Sequence, residues 1–374
     1  MDWVVALVLA AALAYGIRAL LLLYGSWRER QRSRHLPPLE AQVPSVSVII
    51  PARNEEHTIA HCVASVAACP YPRLEILVVN DRSTDNTAAV LEQLQQRYPI
   101  VHVFTRESEP DNPNNPNLQG KAGALHLGAL HASGELLLFT DADCTVPPSW
   151  VSELARCFAD PTVGLVASFT LIRPQGLFAW LQSAEWLLLH TAGSAGVGLG
   201  HALGCFGNNL AVRARTYWDI GGYERIPFSV TEDLALQQAV QRAGWRLRYH
   251  CARESLVWTL PAPTLRDYLR QRQRWARGGL QLGWRGIAFV LPTLLLWGAL
   301  ISALASGHLL EALLLGLLRM GADLLLGLPS LLRLRQYGLL GVLPLTILLL
   351  ALVELLLPVL VLSPQIRWKG QALR

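Results

Sequence analysis

The chain reads as an α/β protein built on a mostly parallel sheet, with one membrane helix before the sheet and two to three after it. Three observations predict this. Short apolar runs alternate with helical segments between residues 45 and 140, as in a parallel sheet covered by helices on both faces. Residues 4–23 are almost wholly apolar, and about 20 such residues span a bilayer core. The end of the chain is apolar again, and 52% of the 374 residues are hydrophobic against 16% charged. That leaves room for one catalytic domain plus membrane segments.

The first apolar run is broken only by Tyr15, Gly16 and Arg18. No basic start precedes it and Arg18 lies within it, so a membrane helix is expected in place of a cleaved signal peptide. Arg28, Arg30, Arg32 and Arg34 follow. Basic flanks mark the cytoplasmic side, so residues 1–27 form the anchor and the next domain faces the cytoplasm. Pro37, Pro38 and Pro44 make a linker. Val46-Ser47-Val48-Ile49-Ile50 is a strand ending at Pro51, and Ala52-Arg53-Asn54-Glu55-Glu56 opens a helix to about Ala67. Residues 74–79 form a second strand, after which Ser83 or Thr84 would cap the next helix with Asp85 in its first turn. Val101-His102-Val103-Phe104 is a third strand, residues 107–119 a Pro/Asn-rich loop and 122–132 a helix.

Leu136-Leu137-Leu138-Phe139 is a buried strand leading into Thr140-Asp141-Ala142-Asp143. Strand alternation points Asp141 and Asp143 the same way, at the edge where open α/β sheets bind ligands. With no Lys or Arg between them, the two acids favour a bound cation. A hard divalent ion takes one or two carboxylates and completes its shell with substrate phosphates. Two solvated loop acids are the plainer alternative. The absence of GxGxxG and GxxxxGK[ST] argues against dinucleotide and P-loop sites. A net charge of +5, with Arg beside apolar segments, suits a membrane surface and not nucleic acid. The 6 cysteines lack any CxxC pair and read as reduced hydrophobes.

Further on, Gly204-Cys205-Phe206-Gly207-Asn208-Asn209 brings flexible backbone and amides beside a short strand, able to reach sugar hydroxyls. Thr231-Glu232-Asp233-Leu234 precedes a helix over 235–243. Thr231 could cap that helix with the acids in its first turn, or a carboxylate there could serve as a general base. In a helix from about Leu265, Gln271, Arg274 and Trp275 share one face. Arg can grip a diphosphate and the indole offers a flat surface. Arg266, Arg270, Arg272, Arg277, Tyr268 and Trp275 also suit lipid headgroups. Residues 286–305 and 338–362 are long enough to span. Residues 309–332 are too, but Glu311, Arg319 and Asp323 imply a tilted, packed or re-entrant segment. Arg333 and Arg335 argue for a cytoplasmic loop and Arg367, Lys369 and Arg374 for a cytoplasmic tail, which three crossings would contradict.

Four segments occur in order: Ser47-Val48-Ile49-Ile50-Pro51-Ala52-Arg53-Asn54-Glu55, Val79-Asn80-Asp81-Arg82-Ser83-Thr84-Asp85, Gly120-Lys121-Ala122-Gly123-Ala124-Leu125 and Asp141-Ala142-Asp143. Together they resemble the nucleotide-sugar half of family 2 glycosyltransferases of the GT-A type. Thr-Glu-Asp and the Gln-x-x-Arg-Trp spacing resemble the family's membrane-bound branch, and the likeness covers nearly all of 45–280. His126 departs from the family's frequent Asn. The resemblance implies donor contacts from Pro51, Glu55, Asp81, Lys121, Asp141 and Arg274, and a divalent cation, Mg²⁺ or Mn²⁺, on Asp143. It implies Asp233 as base, inversion at the sugar, and Asn208, Glu232, Gln271 and Trp275 toward the acceptor. A nucleotide-sugar donor, with a uridine diphosphate sugar expected, follows from it, and a soluble donor on the cytoplasmic side beside an apolar platform at the membrane suggests a membrane-lipid acceptor. The expected protein is an integral plasma (inner) membrane enzyme with a cytoplasmic GT-A domain over 45–280, membrane segments over 286–362 and a basic tail over 363–374. A processive polysaccharide synthase would share the motifs but need a channel wall. An inactive nucleotide-sugar-binding scaffold would not need intact Asp141, Asp143 and Asp233.

Overall fold

The computed structural model describes residues 2–34, 36–38, 43–107, 116–362, 366–368 and 371–373. Its strands are β1 (Val46–Ala52), β2 (Leu74–Asp81), β3 (Val101–Arg106), β4 (Leu136–Phe139), β5 (Val163–Ser168), β6 (Thr170–Ile172), β7 (Leu210–Arg213), β8 (Arg246–His250), β9 (Val257–Thr259) and the hairpin pair β10 (Ile366–Trp368) and β11 (Gln371–Leu373). Seven of them form one sheet in the order β3-β2-β1-β4-β7-β5-β8, and β6 pairs with β9 alone. Within the large sheet β7 runs antiparallel to both neighbours, while the other ladders are parallel. Register pairs Pro51 with Val79 and Ile49 with Phe139. The chain ends of β1, β2 and β4 therefore share one edge, which gathers Pro51, Asp81 and the Asp141–Asp143 turn.

The helices are α1 (Trp3–Arg32), α2 (Ile59–Ala67), α3 (Thr87–Arg97), α4 (Gly120–His131), α5 (Trp150–Arg156), α6 (Leu177–Gly198), α7 (Ala214–Asp219), α8 (Gly222–Arg225), α9 (Glu232–Arg242), α10 (Leu265–Gly279), α11 (Trp284–Ala305), α12 (Leu309–Arg333) and α13 (Leu343–Leu362). Strand alternation sorts two cores. Val48, Ile50, Ile76, Val78, Leu136 and Leu138 bury against α2 and α5. Ile49, Leu77, Leu137 and Phe139 face the opposite way, onto α4 and the residues of α6.

Several local expectations change. The segment after β1 is a turn, and α2 begins only at Ile59. The reason is a brace from the β2 loop: Asn54 N–H donates to Ser83 Oγ (3.0 Å), Thr84 N–H to Asn54 Oδ1 (2.8 Å) and Glu55 N–H to Thr87 Oγ1 (2.8 Å). Ser83 and Thr84 are thus taken up by the β1 loop and do not cap α3, which starts after Asn86. Thr231 does occupy the N-cap position of α9, but its hydroxyl pairs with Ser229 and makes no cap hydrogen bond to the helix. Part of the 107–119 loop falls outside the described residues, as do residues 39–42 of the linker and half of the basic tail; Pro116–Leu118 is a single 3₁₀ turn.

By length and composition, α1 and α11 are the two described helices able to cross a membrane. Helix α1 continues through Arg28, Arg30 and Arg32 before the chain turns. Its Glu29 is fully buried and accepts from Arg248 Nε and Tyr249 N–H of β8, both at 2.9 Å, which ties the helix to the sheet. Helix α12 is continuous, and its Arg319 and Asp323 face a packed interior. Arg319 meets Asp323 at 2.7 Å and both oxygens of Glu354 on α13 at 2.8 and 2.9 Å, and Trp297 of α11 donates to Glu354 at 3.0 Å. Helix α13 starts at Leu343, behind a 3₁₀ turn over Tyr337–Gly341. All six cysteines are free and buried.

Candidate functional site

At the shared strand edge a cavity of about 410 Å³ opens between the sheet, α4, the loop before β7, the start of α9 and α10. Its wall holds Pro51, Glu55, Asp81, Lys121, Asp141, Asp143, Asn208, Glu232, Asp233, Gln271, Arg274 and Trp275. The residues expected to meet donor, cation and acceptor therefore line one space.

The β-edge end is dominated by charge. Asp81 is 2% exposed and accepts from Arg106 Nη1 (3.1 Å) and Arg82 Nε (3.0 Å). Asp141 and Asp143 sit in a turn closed by Cys144 N–H donating to Asp141 O (3.0 Å), so a turn and not strand alternation aims them. A protein cation already serves one of them, contrary to the sequence reading. Lys121 Nζ lies 2.6 Å from Asp141 Oδ1 and 3.1 Å from Glu232 Oε1, bridging the edge to α9. Desolvation alone would lower the Lys121 pKa, but Asp141 and Glu232 carry it above the usual lysine range. Asp143 and Asp141 offer hard oxygen donors on the cavity wall. Among the described residues no three His, Cys, Asp or Glu side chains cluster as a self-sufficient metal site. The donor set therefore fits a hard divalent ion whose shell is completed by diphosphate oxygens.

Asp233 faces the same space from the first turn of α9. Its Oδ2 accepts from Gly207 N–H and its Oδ1 from Leu234 N–H, each at 2.8 Å. Desolvation, then the neighbouring Glu232 charge, push its pKa up to about 6, against the opposing pull of Lys121 and the two N–H groups. A carboxylate so poised suits proton abstraction near neutral pH. Gly278 of α10 allows the helix to lie against this turn, since a Cβ there would collide with the Thr231 side chain. Gly278→Ala is expected to displace Glu232 and Asp233 and lower kcat/KM by about 10²-fold, the scale set by a misplacement of roughly 1 Å. Steady-state kinetics on the folded variant check this.

The other end is apolar. Leu189, Ala192 and Gly193 of α6, Leu203, Leu282 and Phe289 of α11 line it. Phe289 also packs with Leu22 of α1 and Ala195, so the cavity reaches the membrane-length helices. Asn208 Oδ1 accepts from Thr170 Oγ1 at 3.0 Å. Trp275 meets Phe206 and Trp186 edge-on, at 5.0 and 5.6 Å between ring centres. Two residues of α10 that suited headgroups turn inward: Tyr268 is fully buried and Arg272 is 4% exposed, because both bond Glu185. The sequence reading passed over Arg106, Glu185 and Phe289, none of which carries a local motif.

Two family models match the chain: Glycosyl transferase family 2 over residues 47–221 and Glycosyl transferase family group 2 over residues 136–363. A β-monoglucosyldiacylglycerol synthase from Synechocystis sp. is 29% identical over 245 residues, 64% of this chain and 48% of that protein. A poly-β-1,6-N-acetyl-D-glucosamine synthase from Staphylococcus aureus is 26% identical over 246 residues, 64% of this chain and 55% of that protein. The matches thus cover about half the length of these relatives. Among solved structures, the mannosyltransferase PcManGT from Pyrobaculum calidifontis, in complex with GDP-Man and Mn²⁺, superposes with a TM-score of 0.61 at 22% identity, covering 93% of this chain and 99% of that one. More than half of the chain lies within the second family model, and the sheet and its covering helices share the fold of that solved structure. The chain belongs to the family 2 glycosyltransferases and is built on the GT-A fold.

Proposed function

We propose that the protein transfers one sugar from a nucleotide-diphosphate sugar to the hydroxyl of a membrane lipid, with inversion at the anomeric carbon. The observation that carries this is the shared cavity: Asp143 and Asp233 line one space whose far end is Phe289, on a helix long enough to cross a bilayer. Pro51, Glu55 and Asp81 hold the nucleoside, and Lys121, Asp141 and Arg274 face the diphosphate. Asp143, with Asp141 beside it, would hold a divalent cation, Mg²⁺ or Mn²⁺, which supplies positive charge against the departing diphosphate. Asp233 takes the proton from the acceptor hydroxyl as that oxygen bonds to the anomeric carbon and the bond to the diphosphate oxygen breaks. Asn208, Glu232, Gln271 and Trp275 form the acceptor wall. The GDP-Man and Mn²⁺ of the archaeal mannosyltransferase and the lipid product of the Synechocystis enzyme are in keeping with this chemistry. Helices α1 and α11 anchor the chain in the plasma membrane, with residues 45–280 as the cytoplasmic catalytic domain, 286–362 as membrane segments and 363–374 as a basic tail.

The test is product analysis of the protein in lipid nanodiscs supplied with a panel of nucleotide sugars. Mass spectrometry should find lipids heavier by one sugar, and NMR an anomeric configuration opposite to the donor's. A ladder of soluble saccharides would instead mark a polymer synthase, the activity named for the Staphylococcus aureus relative. The pH profile is a second check. Because the Asp233 pKa sits at about 6, kcat/KM should fall with unit slope below that pH as the base is protonated, and level off above it. Glu232→Gln removes the like charge and should move this limb to lower pH.

A further inference from the structure

Tyr268, Arg272 and Trp275 lie on one stripe of α10, at spacings of four and three residues. The stripe turns toward α6. There Glu185, 1% exposed, accepts from Arg272 Nη2 at 2.6 Å and from the Tyr268 hydroxyl at 2.9 Å through the same oxygen. The Nε and Nη1 of Arg272 are buried without an oxygen partner. Their partners are rings: the guanidinium carbon stands 4.1 Å from the centre of Trp275 and 4.5 Å from that of Tyr268. A desolvated cation over an aromatic face is among the stronger forms of this contact, and it offsets the cost of leaving N–H groups without acceptors. Trp275 lines the cavity, whereas Arg272 and Glu185 stand behind it.

We infer that Glu185 and Arg272 are positioning residues for the acceptor. The carboxylate fixes the plane of the guanidinium, and the guanidinium fixes the plane of the Trp275 indole, the wall along which the acceptor hydroxyl approaches Asp233. This rests on the reading of Trp275 as an acceptor-side residue. A planar fork is required, because an ammonium group can keep the ion pair without holding the ring.

The test uses the full chain in nanodiscs. The acceptor series is the neutral-lipid extract of the host membranes diluted into phosphatidylcholine, and donor binding is read by calorimetry with uridine and guanosine diphosphates. Arg272→Lys should raise the apparent acceptor KM about tenfold with nucleotide binding unchanged. It should also raise acrylamide quenching of the Trp275 emission, isolated by difference from Trp275→Phe. Tyr268→Phe, which removes one donor to Glu185 and keeps the ring, should move both readouts the same way by about two- to threefold. A purely structural pair would lower the folded fraction and leave KM and quenching of the remaining enzyme as in the wild type, which would overturn the inference. So would an equal rise in the acceptor KM and the nucleotide dissociation constant. If Trp275→Ala itself left the acceptor KM unaltered, the acceptor-side reading of Trp275 would fall, and this inference with it. Sensitivity to Trp275→Ala but not to Arg272→Lys would overturn the positioning role alone.

Discussion

Asp233→Asn is expected to lower kcat for transfer by roughly 10²- to 10⁴-fold, the range for loss of a general base. The dissociation constant of the nucleotide should stay within about a factor of two, because the lost interaction belongs to the transition state. Asn matches the carboxylate in shape and keeps one of the two oxygens that accept backbone N–H groups at the head of α9. What disappears is the carboxylate's negative charge and one of its two oxygens, which accept separately from Gly207 N–H (Oδ2) and Leu234 N–H (Oδ1). Single-turnover rates beside calorimetric nucleotide binding measure both quantities. A rate within a few-fold of wild type would remove the base assignment.

Asp143→Ala should have the second largest effect, on a different quantity. This carboxylate stands on the β-edge wall beside Asp141, whose Oδ1 is shared with Lys121. Removing Asp143 leaves Lys121 in place but deletes a hard oxygen ligand, so the cation requirement should weaken sharply. The expected loss in kcat/KM is about 10²-fold or more, since a bound cation supplies several kcal/mol of charge stabilisation. The concentration of Mn²⁺ or Mg²⁺ giving half-maximal rate should rise by a similar factor. Unchanged metal dependence in this variant would contradict the ligand role.

Much of this was legible in the chain. The apolar runs became β1, β2, β3 and β4, whose ends converge by topology, and the acids after β4 and in the first turn of α9 fell on the wall of one cavity. Other features depend on partners far away in sequence. The turn after β1 is held by Ser83 and Thr87, about 30 residues on, so local propensity alone suggested a longer helix and a different cap. Lys121 stood alone in the sequence, and only folding supplied Asp141 and Glu232 as its two counter-ions. Arg272 and Tyr268 resembled headgroup ligands because a helix rich in Arg has two plausible polar faces. A buried Glu185 on α6 decides between them. Arg319 and Asp323 were legible as a problem needing a packed interior, but the solution, Glu354, came from the next helix.

The most direct measurement is the partition of label after membranes carrying the protein are incubated with radiolabelled nucleotide sugars. Wild-type membranes should move label into the organic extract as a lipid bearing one sugar, and Asp233→Asn membranes should not. Label found only in water-soluble polymer, or reaching the organic phase equally fast without the Asp233 carboxylate, would contradict lipid glycosylation at this cavity.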